Sequence, residues 1–158
     1  MIKAIPPADR IALEQGLKRL KLRRIREMLD DVNELALQEE PSYLDFLAYM
    51  VNQEVTAREQ TQRAKRLRSA KFPFYKTLDD FDFSFQNSIS RQNMLDLAQL
   101  AFVEAHEDIV LLGPQGVGKS HLAVALGIEA INAGYRVLFT TAEDLTQTLY
   151  SADRKSVV

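Results

Sequence analysis

The stretch Gly113-Pro114-Gln115-Gly116-Val117-Gly118-Lys119-Ser120 constrains the fold more than any other part of this 158-residue chain. It matches G-x-x-x-x-G-K-[ST], a pattern that has its meaning only between a strand and a helix. Both neighbours have the right character. Ile109-Val110-Leu111-Leu112 is a short apolar run of the kind found in buried parallel strands. An alanine-rich helix is expected from about Lys119 to Ala133, with Gly134 as its C′ residue. Arg136 to Thr140 reads as the next strand, and Thr141 with Asp144 three residues on caps a further helix carrying Leu145 and Leu149. A strand–helix–strand unit of this length closes as a right-handed parallel crossover.

The residue types in the loop point to a nucleoside triphosphate, ATP with Mg²⁺. A triphosphate needs several backbone N–H donors converging on it with no side chain in the way. Glycines at 113, 116 and 118 let the chain curl inward. Lys119 is placed to reach the β- and γ-phosphates and Ser120 to ligate Mg²⁺. The candidate nucleotide site is therefore Gly113, Pro114, Gln115, Gly116, Val117, Gly118, Lys119, Ser120 and the adjoining His121, with Lys119 as its catalytic group. A lone histidine one residue past the loop is more in keeping with packing or capping than with catalysis.

Hydrolysis also needs an acidic residue at the end of a second apolar strand. Val137-Leu138-Phe139-Thr140 ends in threonines, and no later strand precedes Val158. The expectation is a fragment of a larger ATPase.

Upstream, residues 1–70 read as an all-helical domain. Leu13, Leu17 and Leu20, then Ile25, Met28, Leu29, Val32 and Leu35, recur at helical spacing. Glu39-Glu40-Pro41 stops the run. Ser42 with Asp45 opens a second long helix, with Leu44, Leu47, Val51 and Val55 on one face. Residues 71–90 hold Pro73 and six aromatics, Phe72, Phe74, Tyr75, Phe81, Phe83 and Phe85, and read as an ordered linker. Phe81, Phe83 and Phe85 alternate, which suits an edge strand or an anchor onto the core. Helix resumes from Arg91 to about Ala105, with Leu95, Leu97, Leu100 and Phe102 as apolar positions. Residues 91–158 are the start of a nucleotide-binding domain. The fold class is α/β: a helical N-terminal domain, then an incomplete parallel sheet.

A net charge of −2 and no cysteine exclude disulfides and cysteine metal sites and leave no composition-level sign of a nucleic-acid partner. No apolar run approaches the roughly 20 residues of a membrane span, so the expected location is cytoplasmic. Two basic clusters stand out: Lys18, Arg19, Lys21, Arg23, Arg24 and Arg26, and then Arg63, Lys65, Arg66, Arg68 and Lys71. Either would track DNA phosphates without reading bases; either also suits a solvated helix face. The acidic run Asp79-Asp80-Phe81-Asp82 suits a solvated turn better than a divalent ion.

Several segments together resemble the IstB-like helper ATPases of insertion-sequence transposons, relatives of the DnaC helicase loader in the AAA+ class. They are Lys71-Phe72-Pro73, Lys76 to Phe83, Leu111 to Ala123, and Gly134 to Ala142, with Lys21-Leu22 and Tyr43 to Leu47 upstream. The resemblance runs to about Tyr150, and the tail Asp153 to Val158 departs from it. It implies an AAA+ sheet domain behind a helical domain, ATP-controlled homo-oligomeric assembly on double-stranded DNA, and activation of a transposase. Only the loop, Gly113 to Ser120, carries over residue by residue. A helicase-loader-like adaptor that uses ATP as a switch is the alternative, and a small-molecule P-loop kinase fits less well with the long helical N-terminus.

Overall fold

In a computed structural model, residues 7–39, 41–85 and 88–155 are described. Glu40 and the tail Ser156 to Val158 lie outside them. The chain divides into two compact units, one up to Gln62 and one from Arg63.

Four helices make the first stretch: α1 (Pro7–Arg19), α2 (Arg23–Glu27), α3 (Leu29–Glu39) and α4 (Tyr43–Ser69). The expected cap of α4 is present. The Asp45 N–H donates to Ser42 Oγ at 3.2 Å, and the Ser42 hydroxyl donates to Asp45 Oδ2 at 2.6 Å. Met28, Val32 and Met50 form a small core, joined by Ile25, Leu29 and Phe46. The inward face of α4 is therefore Phe46, Met50 and Glu54, at four-residue spacing. Leu44, Leu47, Val51 and Val55 do share a face, but that face is exposed. The sequence pattern marks the right helix and the wrong side of it.

Glu54 is the polar centre of this unit. Only 5% exposed, it accepts the Arg24 and Ile25 N–H groups at 2.8 and 3.2 Å, and Arg58 Nε at 2.8 Å. A carboxylate on α4 thus caps the start of α2, whose own N-terminus offers no side-chain cap. Arg58 also donates to the Lys21 carbonyl at 2.9 Å, closing the turn between α1 and α2. Burial pushes the Glu54 pKa up, but the Arg58 bond and the Ile25 and Arg24 amides outweigh it, and the carboxyl titrates below its ordinary range.

The second unit holds α5 (Arg91–Leu97), α6 (Ala101–Glu104), α7 (Lys119–Asn132) and α8 (Ala142–Lys155). The helix expected over 91–105 is broken: Leu100 adopts φ 63° so that its side chain can be buried, and α6 starts anew behind it. Helix α7 is buried nearly all round, at Leu122, Val124, Ala125, Leu126, Ile128, Ala130 and Ile131. It ends as expected at Gly134, φ 95°, where Gly134 N–H bonds Ile131 O and Tyr135 N–H bonds Ala130 O. Thr141 and Asp144 cap α8 reciprocally, at 2.7 and 3.1 Å.

The expected parallel sheet is not shown among the described residues. Residues 107–112 and 135–141 are neither helical nor paired as strands, and among the described residues no strand ladder forms. A ladder needs a partner about 4.8 Å away. Instead both segments line a cleft of about 480 Å³ lying over α7. Ile109 and Leu111 pack against the cluster of Leu78, Met94, Leu122, Ala125 and Leu126. The elements described are helices, and the sheet of the expected α/β class is not among them.

Replacing Glu54 by Ala should cost the first unit about 2 kcal/mol, since two amides and a guanidinium lose a charged acceptor. Denaturant unfolding followed by helical circular dichroism measures this. The native carboxyl is harder to protonate than the unfolded one, so its contribution is complete above the ordinary glutamate range and fades as pH falls through the native pKa. Glu54→Gln should flatten that acid limb.

Candidate functional site

The loop between the apolar segment and α7 is built as its residues require. Gly116 and Gly118 take φ 83° and 89°, a region that side chains resist. Gly118 has a second constraint. A Cβ there would lie 2.5 Å from Cε2 of Phe81, whose ring rests directly on the loop.

The amides from Gly116 to His121 make no backbone hydrogen bond among the described residues; the first is Leu122 N–H to Gly118 O at 3.0 Å. Six consecutive donors at the start of a 14-residue helix, joined by its partial positive charge, are suited to an anion. Lys119 Nζ donates to the carbonyls of Gly113 at 2.9 Å and Pro114 at 2.5 Å, so its ammonium lies against the loop. Ser120 is exposed in the first turn of α7, with its hydroxyl open to a ligand. Pro114, Gln115 and Gly116 are exposed, and Val117 is half-buried. The structure thus brings together every expected loop residue from Gly113 to Ser120. These residues fit a triphosphate: free amides, a cation on a long stem and a hydroxyl, with no carboxylate among them.

His121 packs, as its position suggests. Its Nε2 lies 2.8 Å from the Thr77 carbonyl, and its ring meets Phe81 edge-on at 5.2 Å. Since a carbonyl can only accept, Nε2 carries the proton and donates. The linker therefore folds back on the loop. Thr77 donates twice to Asp80, at 2.7 Å from N and 2.8 Å from Oγ1. Asp82 accepts from Ser84 and Phe85. The Thr77 amide and hydroxyl hold the Asp80 carboxyl below its usual range, and the Ser84 hydroxyl and the Phe85 amide do the same for Asp82. Both acids are turn-builders, and no cluster of three or more histidines and carboxylates able to hold a metal appears among the described residues. Phe81 and Phe83 anchor the linker to the core, while Phe85 is exposed and no edge strand forms among the described residues.

The basic clusters fare differently. Lys18, Arg19, Lys21, Arg23 and Arg24 are exposed around the turn from α1 to α2, with Arg23 paired to Glu27 at 2.7 Å. In the other cluster, Arg63 donates to Asn132 at 2.6 Å and Arg66 lies beside Gly134, both at the C-terminal end of α7. That is where a helix dipole attracts cations. Lys65 and Arg68 are exposed. Sequence reasoning missed Glu54 and the seat of Phe81 on Gly118. An acid at four-residue spacing from Phe46 and Met50 was the available sign of the first. The second had none.

Comparison with known proteins agrees with this geometry. The family described as IstB-like ATP binding protein matches residues 15–157. A protein of Pseudomonas aeruginosa, provisionally named an ATP-binding protein of insertion sequence IS21, is 44% identical over 144 residues, 91% of this chain and 54% of its own length. Proteins named likewise for IS232 in Bacillus thuringiensis and IS5376 in Geobacillus stearothermophilus are 39% and 36% identical, over 89% and 87% of this chain and 56% and 55% of theirs. The chain spans about half the length of the curated relatives it matches.

Gly118→Ala should destabilise the second unit by about 1–2 kcal/mol from backbone strain alone, with the contact on Phe81 adding to it. In a Phe81→Ala background only the strain should remain. Equal costs in the two backgrounds would show that the ring does not press on the loop.

Proposed function

The chain belongs to the IstB-like ATP-binding protein family, and from that premise we propose that it is the nucleotide-binding part of a DNA transposition helper ATPase. The observation that carries this reading is the run of unpaired amides from Gly116 to His121 with Lys119 alongside. In it, those amides cradle the β-phosphate, Lys119 exchanges its loop carbonyls for phosphate oxygens, and Ser120 holds Mg²⁺. The metal would supply charge neutralisation at the phosphates. The Phe81 ring, in edge contact with His121, packs against the loop at Gly118.

Hydrolysis is proposed only for a protein of the relatives' length. The segment Val137 to Thr140 brings no acid to the loop, and the relatives are nearly twice as long as the matched region. Double-stranded DNA is the proposed polymer partner, with the α1–α2 cluster as the contact. Its six cations are exposed, Arg23 being paired with Glu27, whereas Arg63 and Arg66 are engaged at the end of α7. Assembly into a homo-oligomer on DNA and activation of a transposase complete the reading. The names of the relatives, which tie them to insertion sequences, support it. Among the described residues no helix is long and apolar enough to cross a membrane.

Titration of Mg²⁺–ATP into the chain should show saturable binding, weakened at least about tenfold in Lys119→Ala, or ~1.4 kcal/mol. Equal affinity in the two proteins would sink the reading. For DNA, replacing Lys18, Arg19 and Lys21 by Ala should reduce the slope of log K against log salt by about 0.9 for each phosphate no longer neutralised. An unchanged slope would remove that cluster as the contact.

A further inference from the structure

The glycines of the loop differ in what surrounds them. A Cβ on Gly113 would meet Val117 of the loop itself at 3.4 Å, and one on Gly116 would meet nothing within 4 Å. At Gly118, the N-cap of α7, the Phe81 ring fills the place where a side chain would stand. Three residues on, His121 Nε2 donates to the Thr77 carbonyl at 2.8 Å, and its ring meets Phe81 edge-on. Residues three apart lie on the same side of a helical turn, so the linker grips the first turn of α7 at both its ends. The linker is itself held. Asp80 takes the Thr77 amide and hydroxyl, Phe81 N–H bonds the Leu78 carbonyl at 3.2 Å, and Leu78 is buried in one cluster with Leu122. What the grip fixes is backbone. The amides from Gly118 to His121 lie within it, and among the described residues they have no backbone partner.

We propose that Phe81 and His121 are positioning residues for phosphate binding, holding the amides at the start of α7 in place before a ligand arrives. This rests on the nucleotide reading. Glycine has more conformational freedom to lose on ordering than any other residue, and Gly118 is fixed at φ 89°. A free loop would have to be ordered by its ligand, at a cost in affinity. A linker already seated on the turn removes that cost. Phe81 acts by its bulk on Gly118, and His121 by one hydrogen bond to Thr77. The two roles call for different substitutions. Leucine at 121 keeps an apolar side chain and loses the donor, whereas the amide nitrogen of glutamine can stand where Nε2 stands. The effect is reciprocal, so a ligand that orders the turn must also tighten the linker.

The test is titration of the 158-residue chain and its variants with Mg²⁺–ATP and, separately, with Mg²⁺–tripolyphosphate, which offers the phosphates without the nucleoside. His121→Leu and Phe81→Leu should bind both ligands at least about tenfold more weakly, with helical circular dichroism unchanged, and His121→Gln should stay within about threefold of the unmodified chain. A residue that only stabilises the fold would lower the stoichiometry and leave the affinity of the folded chains unchanged. In the unmodified chain, saturating tripolyphosphate should slow hydrogen exchange at the Thr77 and Phe81 amides at least about threefold, a readout that needs no variant to fold. Weakening for ATP alone would mean that the two side chains meet the nucleoside, and would overturn the proposal. Unchanged affinity in both leucine variants, an equal loss in His121→Gln and His121→Leu, or unchanged exchange in the linker would overturn it too. Lys119→Ala separates the two readings. If it loses ATP while both leucine variants keep it, positioning fails and the nucleotide site stands; if the unmodified chain binds neither ligand, both fall.

Discussion

The burial of α7 is the interaction on which the rest of the second unit depends. Seven of its 14 residues are buried, and along it Ala125, Gly127 and Ala130 are small. Small residues let other segments come close. Gly127 accepts the Phe72 ring and the Val137 side chain where a Cβ would fall 2.8 Å from the ring. Phe72 in turn meets Phe139 edge-on at 6.4 Å. The aromatic linker and the segment after α7 are thus gathered onto one helix, whose first turn adjoins the glycine loop.

The first unit solves a different problem by different means. Its core of Met28, Val32 and Met50 is small, and α2 is only five residues long. A helix that short does not persist on propensity. Glu54 ties its first amides to α4, and Arg58 ties the preceding turn to the same helix. Among the described residues no buried side-chain polar atom lacks a partner, so the charge is buried without a stranded group. Arg10 adds a bond from α1 to Asp30 on α3 at 2.6 Å, but both ends are exposed and it contributes little.

What is legible in the sequence is what local chemistry decides. The caps at Ser42 and Thr141, the stop at Gly134 and the loop from Gly113 to Ser120 depend on neighbours within a few residues, and all appear where expected. Side of burial is less legible. Both Leu44–Leu47–Val51–Val55 and Phe46–Met50–Glu54 recur at helical spacing on α4, and only tertiary packing chooses between them. Leu100 shows the same limit, since a helical pattern gives no sign of the left-handed residue that burial imposes. The segments on either side of α7 are the clearest case. Their apolar runs read as strands, but a strand is defined by its neighbour, and the neighbour is not within either run.

The resting contacts of Lys119 have a consequence for selectivity. Its ammonium already holds two carbonyl oxygens of its own loop, so an incoming anion gains only the difference between those bonds and the new ones. Chloride or a lone carboxylate offers a poor exchange. A chain of phosphates, which engages several amides at once while drawing the lysine across, offers a good one. On the proposed nucleotide reading, the loop would favour a ligand with enough oxygens to replace both carbonyl contacts over a single small anion.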